Sequence, residues 1–248
     1  MTWAWILISV VVGLVSGLIV NYFADVLPRF RRPGRPACTH CQHSRAWVDF
    51  ISLRRCRNCG QPAPWRSRWV ILVFLVLGTA TAIHPAARLG YGLGMLLLVY
   101  LGIVFVMDVE YRVVLEEVSI TGVVLCGAIG IYTHGFWMTV AGGAVGFGSM
   151  YLLYILGVFY ARWMAKRRGE ETSEEGMGFG DVSLSGVLGL VLGFPGILAG
   201  LVTAILAGGV FSLVLFIILK ILRKYSLFAS IPYAPFLVLG TVGLLFFK

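Results

Sequence analysis

Four of the five cysteines in this 248-residue chain fall into two Cys-x-x-Cys pairs, Cys38/Cys41 and Cys56/Cys59, with fourteen residues between the pairs. Two such knuckles supply four thiolates, the donor set that zinc takes in a closed tetrahedral site. Each two-residue gap lets paired sulfurs reach one ion, and Gly60 suits a tight turn after the second knuckle. The surrounding stretch has too little apolar material for a core, so a metal would supply folding energy that the loop lacks. Two disulfides are the competing use of four cysteines. His40 and His43 flank the first knuckle as substitute ligands, although four thiols already fill a closed, structural site. The fifth cysteine, Cys126, stands alone in an apolar run and reads as a small buried residue.

The acids can be sorted one by one, because the chain has only 11 of them against 20 Lys and Arg. Asp25 and Asp49 belong with the arginine-rich loop. Glu170, Glu171, Glu174 and Glu175 form a solvated run. Asp108, Glu110, Glu116 and Glu117 surround the end of one apolar run, and Asp181 starts another, inside GMGFGDVSL (Gly176–Leu184). A carboxylate at the edge of hydrocarbon is costly and marks a functional position. Two carboxylates brought together share one proton and titrate as a pair. One then serves as base toward water while the other protonates a carbonyl or a leaving amine, the chemistry of aspartic proteases. Gly176, Gly178 and Gly180 would allow unusual backbone angles and close approach of a substrate strand beside Asp181. The structural alternatives are Asp181 as a helix N-cap and Asp108 as an interfacial acid of no special depth.

Residues so placed need elements to carry them. The chain is 59% hydrophobic and 12% charged, far outside soluble usage, and it contains runs long enough to span a bilayer. The expected fold is an all-α polytopic membrane protein with about eight spans. They are Trp3–Phe23, Trp69–His84, Leu89–Met107, Val118–Tyr132, Phe136–Trp163, Val182–Phe194, Gly196–Ile221 and Ile231–Phe247. Val118–Tyr132 and Val182–Phe194 are short for full spans, and Phe194-Pro195-Gly196 reads as a tight extramembrane turn. The first run is too long for a typical signal-peptide core and lacks a basic flank, so it is expected to stay as a helix.

Placing the loop from Asp25 to Arg68 in the cytoplasm puts 18 of the 20 basic residues on that side. On this topology Asp108 leaves, and Asp181 enters, the membrane at the same face. The net charge of +9 then follows from membrane topology and anionic lipid, and nucleic-acid binding is not expected. Three regions result: a first helix over 1–23, a cytoplasmic zinc loop over 24–68, and a membrane core over 69–248. Gly13-x-x-x-Gly17 and Gly189-x-x-x-Gly193 are candidate close-packing pairs.

At these motifs the sequence resembles the type IV prepilin peptidases, the bacterial branch of the Gly-x-Gly-Asp intramembrane aspartyl proteases. GLIVNYFADVLPRF (Gly17–Phe30) is similar to the family's first-helix exit, and the two knuckles match its cytoplasmic loop. Asp108 matches the aspartate closing the third span, Asp181 the second catalytic aspartate, and SIPYAPFLVLG (Ser230–Gly240) the start of the last helix. The resemblance implies cleavage of the basic leader of type IV prepilins or type II secretion pseudopilins, after a glycine at the cytoplasmic face of the inner membrane. It also implies, in many members, methylation of the new N-terminus with S-adenosylmethionine, an activity associated with the loop.

Three departures stand out. Val114-Leu115-Glu116-Glu117 replaces a Pro-Asp/Asn element, and Ser183 stands where the family has lysine. The loop contains no glutamate, and its exit, Pro64–Trp69, lacks the usual acid. The competing functions are a proton-coupled transporter, which would place acids in mid-span, and a non-enzymatic assembly scaffold, which would tolerate loss of both aspartates.

Overall fold

The computed structural model describes residues 3–86, 88–168, 178–221 and 233–246. Every regular element among them is helical: α1 Trp3–Phe30, α2 Trp47–Ile51, α3 Trp65–Ile83, α4 Gly90–Tyr111, α5 Glu116–His134, α6 Phe136–Arg168, α7 Phe179–Leu192, α8 Gly196–Ile221 and α9 Ala234–Phe246. Helix is the form expected where hydrocarbon leaves backbone groups no partner outside their own segment.

Six of these helices, α1, α3, α4, α5, α6 and α8, are long and apolar enough to cross a membrane, giving a multi-pass membrane protein. The apolar helices α7 and α9 have 14 and 13 residues. At 1.5 Å per residue each is about 20 Å long, short of a hydrocarbon core of about 30 Å. The expected short span at 118–132 is in fact the 19-residue α5. The first helix runs on to Phe30 instead of stopping at Phe23.

The chain divides into two compact units, Met1–Tyr111 and Arg112–Lys248. In the first, α1 lies against α3 with small residues at the seam. A Cβ on Gly13 would come 2.6 Å from the Phe74 carbonyl oxygen, and one on Gly78 2.9 Å from that of Ser9. The Gly13-x-x-x-Gly17 pair is therefore a close-approach site, as such pairs are in lipid. Helix α4 packs on both α1 and α3, and ends where Arg112 turns left-handed at φ 54°.

In the second unit α7 is the central element. It packs against α5, α6, α8 and α9, and its residues from Val182 to Leu192 are nearly all buried. Its tightest contact is with α6: a Cβ on Gly189 would lie 2.2 Å from the Gly142 carbonyl oxygen, and one on Gly142 2.3 Å from that of Gly189. Beside that crossing Ser185 Oγ donates to the Gly146 carbonyl at 2.6 Å. Gly193, at φ 65°, opens the turn through Phe194 and Pro195 into α8.

Candidate active site and metal centre

The cysteine loop folds as two copies of one turn. In the first, the Cys38 N–H donates to the His43 carbonyl at 2.9 Å and the Gln42 N–H to the Cys38 carbonyl at 3.0 Å. The second repeats this with Cys56 to Gln61 at 2.9 Å and Gly60 to Cys56 at 2.8 Å. The fourth residue after the leading cysteine is left-handed in both, Gly60 at φ 71° and Gln42 at φ 59°. Glycine thus serves where the sequence placed it, while the first knuckle manages the same turn with a glutamine.

The repeat brings all four sulfurs within 4.8 Å of one another. Cys38 Sγ and Cys59 Sγ lie 3.7 Å apart, as do Cys41 Sγ and Cys56 Sγ, and all four thiols are free. The cluster is made of cysteines alone, without His40 or His43, and could hold a metal ion. Backbone amides favour the thiolates it would need. The Cys59 and Asn58 N–H groups lower Cys56 to about 6, and the His43 N–H lowers Cys41. Cys59 receives the Gln61 N–H, but loss of solvent and the neighbouring thiols outweigh it and push that thiol up to about 12. The loop is tied to α1: Arg29 donates to the Cys38 carbonyl at 3.1 Å and to the Thr39 carbonyl at 2.7 Å. Tyr22 donates to the Gly34 carbonyl at 2.6 Å and packs its ring on Trp47.

Asp108 sits in the last turn of α4, in the first unit, and is buried, 5% exposed. Two residues on, Glu110 pairs with Arg66 at the start of α3, and the same guanidinium pairs with the buried Asp25 of α1. Neither Asp25 nor Arg66 stood out in the sequence. Their signal would have been an acid and a base at the ends of neighbouring apolar helices, where unpaired charge is costly.

Asp181 belongs to the second unit. It is not an N-cap: Gly178 holds that position, and the Asp181 N–H donates to the Gly178 carbonyl at 3.1 Å. The carboxylate thus lies in the first turn of α7, where the helix dipole favours negative charge. Phe179 pins that turn to α6 by edge contacts with Phe147 and Tyr154, at 6.4 and 6.1 Å between centroids. Gly180 is there for close approach, since a Cβ would meet the Val114 side chain at 2.9 Å. Gly178 has ordinary extended angles, φ −74° and ψ 141°. Gly176 and the acidic run Glu170–Glu175 lie outside the described residues, as does the start of the Ser230–Gly240 motif.

A residue not singled out in the sequence stands near Asp181. Tyr233 precedes α9, and its buried hydroxyl has no hydrogen-bond partner among the described residues. Asp181 is near enough to act on it electrostatically.

Among families of known proteins, the type IV leader peptidase family matches residues 95–213, a stretch containing both Asp108 and Asp181. The chain is 30% identical over 228 residues to the prepilin leader peptidase/N-methyltransferase of Burkholderia pseudomallei (strain K96243), covering 86% of this chain and 67% of that protein. It is 27% identical over 219 residues to the protein of the same name from Aeromonas hydrophila, covering 85% and 71%. With that of Stutzerimonas stutzeri it shares 26% identity across 98% of this chain and 91% of the relative. No solved structure matches the chain.

Proposed function

Because the chain belongs to the type IV leader peptidase family, we propose that it cleaves the basic leader of type IV prepilins or pseudopilins with Asp108 and Asp181 as its catalytic pair. The observation that carries this reading is the position of the two acids inside the family match, one buried at the end of α4 and one in the first turn of α7. The reaction takes place where the leader meets the substrate's apolar helix, at the cytoplasmic face of the inner membrane.

The pair holds one proton between two carboxyls. The ionised member takes a proton from water as the water oxygen bonds to the carbonyl carbon of the leader's last glycine. The protonated member gives its proton to the carbonyl oxygen, forming a tetrahedral diol. Collapse breaks the C–N bond: the acid that gained the water proton passes it to the leaving amine, and a diol hydroxyl returns its proton to the other carboxylate, which restores the singly protonated pair. On this reading the peptidase core 69–248 carries the chemistry, and nothing among the described residues favours a transporter.

The cysteine cluster is read as a structural zinc site. Four ligands at about 2.3 Å in a tetrahedron stand about 3.8 Å apart, and the two 3.7 Å sulfur pairs fit that edge. Zinc would fix the knuckles of the 24–68 loop and leave no coordination position open for chemistry. The relatives' names pair the peptidase with an N-methyltransferase, and we extend that second activity to this chain. Its methyl donor would be S-adenosylmethionine and its acceptor the amine freed by cleavage.

The test is leader removal from a prepilin by the purified protein in detergent, compared with Asp108→Asn and Asp181→Asn. Both variants should lose cleavage while remaining folded. Wild-type cleavage by either would remove the pair, and a wild-type protein inert toward every prepilin tried would leave the scaffold reading. Mass measurement of the product after adding S-adenosylmethionine decides methylation.

A further inference from the structure

We propose that Arg66 is a positioning residue for Asp108, acting as a clamp that fixes the rotation of the last turn of α4. The inference rests on the reading of Asp108 as a catalytic acid and says how the chain holds it.

Three elements of the first unit converge on one guanidinium. Arg66, in the first turn of α3, pairs through one terminal nitrogen with Asp25 of α1 and through the other with Glu110 of α4. Asp25 is 5% exposed, so this is no surface pair. A second contact secures the same junction: Asn21 Nδ2 of α1 donates to the Ser67 carbonyl at 3.0 Å, buried. Arginine suits the role because its planar fork can hold two carboxylates in fixed directions at once.

Helix geometry ties this contact to Asp108. Residues two apart on a helix are about 200° apart around its axis. Holding Glu110 against Arg66 therefore turns Asp108 to the opposite side of α4. The helix needs such a hold, because it stops one residue after Glu110 and the chain turns left-handed at Arg112. A last turn free to fray or rotate would carry Asp108 with it, and misplacement of a reacting group by about 1 Å costs on the order of a hundredfold in rate.

The same side chain stands at the exit of the cysteine loop, while Arg29 of α1 grips its first knuckle. The exit of the loop and the last turn of α4 thus meet at one side chain.

Arg66→Gln would strand the buried Asp25 and is expected to fold poorly, so Glu110→Gln carries the test. Glu110 is a third exposed, and its amide keeps the shape without the charge. The assay is steady-state cleavage of a prepilin by the purified, full-length protein in detergent. The expected result is a kcat lowered roughly ten- to a hundredfold, with KM within about twofold and an unchanged melting temperature. Arg66→Lys, which keeps the charge but not the fork, should fall between wild type and Glu110→Gln.

Full kcat in Glu110→Gln overturns the clamp, and so does a loss confined to KM or matched by loss of folded protein. Asp108→Asn keeps the two readings apart. If it is inactive while Glu110→Gln is fully active, only the clamp fails. If it cleaves at the wild-type rate, the assignment of Asp108 fails and the clamp falls with it.

Discussion

Replacing Gly189 by alanine tests how the second unit holds Asp181. The added Cβ would lie 2.2 Å from the Gly142 carbonyl oxygen, 2.8 Å from its carbonyl carbon and 3.1 Å from Gly143 Cα. All three are backbone atoms of α6, so no side chain can swing aside, and the helices must part by about 1 Å to reach ordinary contact. Overpacking of this kind costs about 3 kcal/mol at the upper end of its range. Alanine returns about 1 kcal/mol of helix propensity, leaving a net loss of about 2 kcal/mol. In a chain of this size that corresponds to a melting temperature about 4–8 °C lower.

The matched control is Gly209→Ala, in α8, where a Cβ would meet nothing within 4 Å among the described residues. That substitution should be neutral or slightly stabilising. Thermal unfolding of both in one detergent, followed by leader cleavage below the transition, reads out fold and site together. Parting α6 from α7 also strains the Ser185–Gly146 hydrogen bond of 2.6 Å, so cleavage should fall with stability. If Gly189→Ala melts with Gly209→Ala, the close crossing of α6 and α7 is not what holds the second unit.

Two further outcomes follow from local chemistry. Tyr233→Phe removes a buried hydroxyl that has no hydrogen bond among the described residues, so stability should hold or rise slightly; a melting temperature several degrees lower would show that the hydroxyl is bonded in the folded protein. Metal binding to the stripped cysteine cluster should release fewer than four protons above pH 7, since Cys56, held at about 6, is already a thiolate there while Cys59, at about 12, is not. The number should rise as pH falls through 6 and the Cys56 proton returns, as calorimetry in buffers of different ionisation enthalpy would show; equal release at pH 5.5 and 7.5 would refute the assignment.

The parts legible in the sequence were those fixed by spacing along the chain. Apolar runs located the six long helices because hydrocarbon leaves the backbone almost no other choice. Two Cys-x-x-Cys pairs located the cluster because each knuckle is a local turn. What stayed hidden was decided by partners far along the chain. Hydropathy ends the first helix at Phe23 because Asp25 and Arg29 read as loop. In the folded chain Asp25 is paired with Arg66, 41 residues away, and Arg29 is spent on the cysteine knuckle, so α1 continues to Phe30.

Helix α7 shows the reverse case. Its sequence looks like a weak span, yet from Val182 to Leu192 it is nearly all buried, and the helix is only 14 residues long. Apolarity alone cannot tell a helix facing lipid from one facing protein, because lipid tails and leucine side chains are alike to the hydrophobic effect. What distinguishes α7 is glycine: Gly186 and Gly189 let α6 come near enough to cover it. A central helix covered in this way has no need to reach across the bilayer.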